Sequence, residues 1–560
     1  MTLDQVRRRL AQPRTSAQLC LLGVCAGLIA AVLIILFRLM IELVQSTFLE
    51  SHDDFTSLAE HQRLLLPVGA ALVIALFANL TGFKHYRLGI PFVINRIKHH
   101  YGHMPIWNSV NQFFGGGIAL ICGFSVGREG PSVHMGATGA SVLTERLHLP
   151  HNAARTLAGC GVAAGIAASF NTPLAAVIFV MEVVLREYKI HIFVPIMLAA
   201  VTGALATQFV FGNVSELSLI QIEMLSFWHY PYLIICGFAL GAIAFAFNQN
   251  LMLIIKTFKP ISMFPRLLLA GLIAGLIGYM VPEAMGSGMS AIKLAVETPD
   301  NLQLLTTIFI AKLLATLFAI GLGIPGGLIG PVIGLGVIMG TLMAFFAQFI
   351  SPDANVAGTY GVLGMAGLLA ATLHAPLAAL TAVMELTSNP QIVVPAMLVI
   401  STAYVTALQV FGNRSIFIQQ LDFQGLPYQV SPAKEALQKV GVVEEMEEDF
   451  KLLYSNDPEQ IKTTLSAVDS QTPLITYDEE NGYRLAEYDL TLVSDDSATI
   501  KYLPLQGLST QATLAEAFEI LKDKRSGAVY VYNQKDSLQI MGVVRWDKLR
   551  HILTMRNSLL

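Results

Sequence analysis

Charge is what this chain has least of. Of its 560 residues only 13% are Asp, Glu, Lys or Arg, while 54% are hydrophobic, a balance that excludes a soluble globular protein of ordinary composition. Cysteine is scarce too: the five present (Cys20, Cys25, Cys122, Cys160 and Cys236) all lie in apolar stretches, with no C-x-x-C pair and no ligand-like spacing. They read as small core residues. The net charge of −4 is small for so long a chain and no large basic patch occurs, which argues against nucleic acid as a partner. There is no G-x-S-x-G, H-E-x-x-H or glycine-rich nucleotide loop, so the sequence offers no enzyme chemistry and implies no cofactor. The cluster KHHYGH (Lys98 to His103) lacks a completing ligand and reads as a hydrated loop rather than a metal site.

What is abundant is apolar sequence in runs of about the length that crosses a bilayer, such as AQLCLLGVCAGLIAAVLIILF from Ala17, LLLPVGAALVIALFANL from Leu64 and YLIICGFALGAIAFAF from Tyr232. These predict a multi-pass protein of the cell membrane (the inner membrane in a Gram-negative source), with lipid as its surroundings. The first run is too long for a signal peptide, and no small-residue cleavage site follows it. Arg7, Arg8, Arg9 and Arg14 precede that run and SHDDFTSLAEHQ follows it, while basic residues return after the second run in KHYR (Lys84 to Arg87) and RIKHH (Arg96 to His100). Both signals place the N-terminus in the cytoplasm, and the C-terminus is expected there as well.

The apolar part is internally repeated. G-x3-G-x2-G-P occurs at Gly123, Gly127, Gly130 and Pro131 and again at Gly323, Gly327, Gly330 and Pro331. FNTPLAAVIFVMEV from Phe170 returns as LHAPLAALTAVMEL from Leu373, and VFGNVS (Val210 to Ser215) as VFGNRS (Val410 to Ser415). Three matches in one order define two homologous halves. The expected organisation is a cytoplasmic N-terminus (1–16), a first transmembrane repeat (17–215), a linker (216–229), a second repeat (230–418) and a cytoplasmic domain (419–560). The halves are either parallel or inverted; inversion is favoured, because PFVINRIK and PSVHMGATGASVL look like helices that begin inside the membrane. In the tail the composition turns charged and amphipathic. AEAFEIL has helical spacing and AVYVY and IMGVV read as strands, which predicts a soluble α/β domain after an all-α membrane part with broken helices.

A helix that begins inside a bilayer leaves its first N–H groups without partners and carries about half a positive charge at that end. Three segments supply such a start, each with proline near the first turn and glycine ahead of it: Leu88 to Pro91, Gly127 to Pro131 and Gly327 to Pro331. Taken singly, each is more simply a kink or a close helix crossing. Together, with two of them related by the repeat, they suggest a site for a small anion built from backbone amides, which binds weakly enough to let a permeating ion leave. Glu129 sits in this setting. A carboxylate tied down for structure alone is the plainer reading, but intramembrane ionisable residues are usually functional. Ionised, it would occupy the anion's own position and leave it when protonated or displaced.

GREGP, GGLIGP, LGIP and the paired PLAA-x4-ME segments resemble the CLC family of chloride channels and chloride/proton antiporters, over about residues 20 to 418. The resemblance implies a homodimer, chloride as the transported ion with protons as a further partner, an anion pathway between inverted halves of each subunit, and Glu129 as the gate. It implies anion coordination by Leu88, Gly89, Ile90, Arg128, Glu129, Gly130, Leu328, Ile329, Gly330 and Phe417. It also exposes departures. Leu88 stands where a coordinating serine is expected, Ile329 replaces a phenylalanine, and Phe417 takes the place of the pore tyrosine without its hydroxyl. Glu182 and Val183 occupy the proton-pathway position, where antiporters carry two successive glutamates. A valine relays no proton, so the sequence leans towards a passive chloride channel gated by Glu129. Proton-coupled exchange is the alternative, with His134 and His374 as substitute groups, and transport of another small anion is more remote. The tail resembles paired CBS modules. In GVVRWDKL, Arg545 replaces the usual hydroxyl residue and Asp547 comes one position early, which argues against nucleotide binding and for a structural or dimerising role.

Overall fold

Glycine and proline decide where the apolar sequence breaks into helices. The computed structural model describes residues 3–82, 89–212, 220–351, 355–426, 428, 431–469, 472–488, 500–533 and 536–557. They fall into two compact units, one of Cys20–Leu143 with Thr156–Tyr428, the other of Met1–Leu19 with Thr144–Arg155 and Gln429–Leu560.

The first unit is helical throughout. Among the described residues nine helices are long and apolar enough to cross a membrane, among them Ala17–Gln45, Glu60–Leu80, Ile190–Phe211, His229–Phe258 and Leu302–Leu322. Others are too short. The Gly89–His99 helix has 11 residues, which at about 1.5 Å per residue reach only about 16 Å into a hydrocarbon layer about 30 Å thick. It is therefore a broken helix rather than a span, and it places Pro91 at its third residue. Glu129–Arg146 and Ile329–Ala347 repeat that start, with Pro131 and Pro331 at the third position, where proline costs no hydrogen bond.

The repeat in sequence is an inverted repeat in space, and the glycine motif shows why. Gly123 and Gly323 end the preceding helices with φ of 79° and 98°, values that only glycine adopts freely. Four residues on, the two loops meet head to tail: the Gly127 N–H donates to the Gly327 carbonyl at 2.7 Å, and the Gly327 N–H to the Gly127 carbonyl at 2.6 Å. Such a reciprocal antiparallel contact between equivalent residues is what a local two-fold axis produces. The same symmetry recurs at helix crossings. A Cβ on Gly161 would lie 2.1 Å from the Gly136 carbonyl oxygen, and one on its counterpart Gly364 2.2 Å from that of Gly336. Backbone packs on backbone, because with lipid as the alternative partner it is close contact that holds membrane helices together.

The second unit is an α/β domain. One sheet has the order β1 (Lys451–Leu453), β2 (Leu474–Asp478), β3 (Gly482–Tyr488), β4 (Ile500–Pro504), and the other β5 (Gln506–Ser509), β6 (Ala528–Asn533), β7 (Asp536–Arg545). The predicted helix, strand, strand, helix series is present as Leu514–Leu521, β6, β7 and Trp546–Asn557. A pattern hidden in the sequence also appears: β1, the Pro458–Ala467 helix, β2 and β3 pair as parallel then antiparallel, as do β5, the Leu514–Leu521 helix, β6 and β7. The tail is a duplication. Its larger core is Leu437, Val440, Leu514, Val529, Val531, Val544 and Leu549, all fully buried.

The N-terminal Leu3–Leu10 helix and residues 144–155 belong to this unit through specific bonds. Arg7 donates to the Leu147 carbonyl, and Asn152 to those of Leu10 and Ala11. His151 Nδ1 lies 2.9 Å from Glu516 Oε1, and the Gln511 amide donates to the Leu149 carbonyl at 3.1 Å.

Candidate functional site

Two cavities are lined by residues in and next to the glycine loops. The larger, about 330 Å³, is lined by Gly89, Ile90 and Pro91 from the first broken helix, Gly130 from the second, and Gly326 to Leu328 leading into the third, with Phe417 beside them. Three helix starts thus converge on one space. Five of the expected residues (Gly89, Ile90, Gly130, Leu328 and Phe417) line it together, and Phe417 is buried at 2% exposure. Leu88 lies outside the described residues.

The smaller cavity holds Glu129, with Ile329, Phe170, Ala375 and Leu373 around it. The Glu129 side chain is 1% exposed. Its carboxylate rests against the crossing of the loops: Cβ atoms on Gly127, Gly327 and Gly330 would fall 2.0, 2.1 and 2.9 Å from its oxygens. That is why those three positions are glycine. The carboxylate faces the amides of Ile329 and Gly330, yet among the described residues neither oxygen meets a donor in good hydrogen-bond geometry.

The Arg128 guanidinium lies over the Phe170 ring at 4.7 Å, a cation–π position, while Glu129 and Gly130, which follow it, line the smaller and the larger cavity.

Glu182 also has a defined position. Its carboxylate accepts from the Leu377 and Ala378 N–H groups at 3.2 and 2.7 Å, and Glu385 accepts from Leu174 and Ala175 at 2.8 and 2.7 Å. Each half's ME glutamate caps the other half's PLAA helix, satisfying amides that the helix leaves open. Val183 is buried beside it in a π-helical turn, Val180–Leu185. His134 stacks on Phe92 with ring centroids 5.5 Å apart, and neither ring nitrogen has a partner among the described residues. The Nε2 of His374 is likewise without one.

Two residues escaped the sequence reading. Lys312 is wholly buried in an apolar helix and donates to the carbonyls of Ala284 and Gly286 and to the Ser125 hydroxyl, at 3.2, 3.2 and 3.3 Å. It braces the loop that carries the GREGP motif, and the signal was a lone lysine in LLTTIFIAKLLATLF. Gln112 is wholly buried and lines the larger cavity; its signal was an amide in the apolar stretch ahead of FFGGG.

In the tail, Arg545 is engaged by Glu447 at 2.9 Å. This arginine stands where the sequence comparison with CBS modules expected a hydroxyl.

Residues 68–408 match the family described as voltage gated chloride channel. The H(+)/Cl(-) exchange transporter ClcA of Salmonella paratyphi B is 27% identical over 444 residues, 74% of this chain and 90% of that protein, as is the one from Salmonella newport. Among solved structures, a slow cyanobacterial Cl-/H+ antiporter superposes with a TM-score of 0.64 at 22% identity, over 73% of this chain and 98% of the other. A eukaryotic CLC transporter superposes at 0.59 and 18%, over 95% and 97%. With the family match covering well over half of its length, and with the inverted repeat and its broken helices in place, this multi-pass membrane protein belongs to the CLC family of anion transport proteins.

Proposed function

We propose that the chain exchanges chloride for protons, with Glu129 as the group that alternately blocks the anion path and carries the proton. The observation that carries this reading is the Glu129 carboxylate itself, buried at the meeting of two helix starts with no well-aligned hydrogen-bond donor among the described residues. Ionised, it competes with chloride for the same amides; protonated, it loses that attraction and yields the place. The anion ligands in this reading are the amides around Gly89, Ile90, Gly130, Leu328, Ile329 and Gly330, with Phe417 as an apolar wall. The relatives named exchange transporters turn the sequence's lean towards a passive channel around, since the lean rested on Val183 alone. The proton's route then bypasses Val183. The next titratable residue along the Glu129 helix is His134.

A reversal potential measured across liposomes under opposing chloride and pH gradients tests the exchange. Coupling pulls the potential towards the proton gradient. Passive conduction, the second reading, is favoured by the buried apolar Val183 and gives a potential that follows chloride alone. We place both termini in the cytoplasm on the arginines ahead of the first span. The tail has a structural role, supported by the Arg545–Glu447 pair at the expected nucleotide-contacting end.

A further inference from the structure

The helix-start cavity contains a polar side chain that the amide-only picture of anion binding leaves unused. Gln112 lies midway along the Ile106–Ile121 helix, and it is 0% exposed. Neither its amide nitrogen nor its amide oxygen meets a hydrogen-bonding group among the described residues. Burying an amide without partners is costly, so a buried amide that meets none calls for a group to bind. Its location indicates what. Gln112 forms part of the wall of the cavity shared by Gly89, Gly130, Leu328 and Phe417. A Cβ on Gly116, one turn further along, would lie 3.6 Å from the Gln112 amide nitrogen and 2.8 Å from the Pro131 ring. The amide therefore sits on the face of its helix that packs against the first turn after Glu129.

The charge of the cavity points the same way. Lys259 and Arg266 also line it, and no carboxylate does among the described residues. Leu88 and Phe417 bring no hydroxyl to the anion path, so the backbone amides have no side-chain donor beside them from the positions where the family resemblance expects one. We propose that the Gln112 amide N–H groups are that donor: they coordinate the small inorganic anion as it passes, after a turn of the side chain's last torsions out of the cavity wall. A neutral donor adds affinity without the fixed charge that would trap the ion. This rests on the anion-pathway reading above and adds a specificity-determining residue to it.

The test uses the full-length protein, purified and reconstituted in liposomes, with chloride as the probe. Chloride affinity is measured by titration calorimetry, and chloride-to-nitrate flux ratios by ion-selective electrode. Gln112→Leu, close in size and without a donor, weakens chloride binding roughly tenfold, the scale of one hydrogen bond to an ion, and shifts the chloride-to-nitrate ratio. Gln112→Lys keeps a donor and adds charge, so it binds chloride more tightly than wild type and turns over more slowly. Wild-type affinity and an unchanged flux ratio in Gln112→Leu overturn the proposal. If that variant fails to yield a monodisperse protein, Gln112→Lys decides, and unchanged affinity there overturns it. Absence of any chloride flux in the wild-type protein would instead overturn the pathway reading itself.

Discussion

Glu129 and Glu182 are both glutamates within apolar helices, and the structure gives them opposite fates. Glu182 is held by two amide donors, whereas the oxygens of Glu129 meet no well-aligned donor among the described residues. A side chain that must move is better left unbonded, since each hydrogen bond to a carboxylate adds roughly 1.5–3 kcal/mol to the cost of leaving. Glu129→Gln keeps the shape and removes the titratable group. Chloride efflux from liposomes, which in the wild type is expected to rise as pH falls and Glu129 is neutralised, becomes flat with pH in this variant. A variant whose efflux still follows pH as the wild type does would remove Glu129 from the gate.

At the scale of elements, the reciprocal caps join the two halves. Glu182→Ala and Glu385→Ala each leave a pair of helix-start amides open and lower stability by about 1 kcal/mol, the usual cost of a lost cap. A thermal melt of the purified protein shows this, with the anion-to-proton ratio unchanged. A collapse of that ratio at unchanged melting temperature would instead make Glu182 a proton acceptor. In the tail, Glu519 joins the Pro432–Leu437 and Leu514–Leu521 helices, because Lys434 pairs with it at 2.8 Å and Lys522 bonds its other oxygen. These bonds hold its carboxyl below the ordinary value of 4.5. A depressed folded value means stability that is present above about pH 4.5 and lost as pH falls through the folded value. Glu519→Gln is thus less protected than wild type in hydrogen exchange of residues 514–521 at neutral pH, and equal to it in acid. A gap that stays constant with pH would contradict the assignment.

For the whole molecule, the family resemblance implies two copies working side by side, and we propose a homodimer. Light scattering on the detergent-purified protein, corrected for bound detergent, should give twice the chain mass of 60.7 kDa. A single-chain mass would remove the dimer and leave each anion path intact, because every residue proposed to line it comes from one chain.

The sequence by itself determined the membrane class, the two halves and the three helix starts. Apolar run length, a 200-residue echo and Gly-Pro punctuation are local features, and local backbone preference follows directly from them. Glu129 was legible for the same reason, as a carboxylate inside such a motif. Only the tertiary structure decided what each polar group touches. Gln112 sits on the helix just ahead of the GREGP motif, and only the fold turns it against the first turn after Glu129; Lys312 reaches back 187 residues to Ser125, and Glu182 finds amides 195 and 196 residues away. The first half of the tail's duplication was equally invisible, because strand pairing is fixed by partners distant along the chain and leaves only a weak mark on either strand alone.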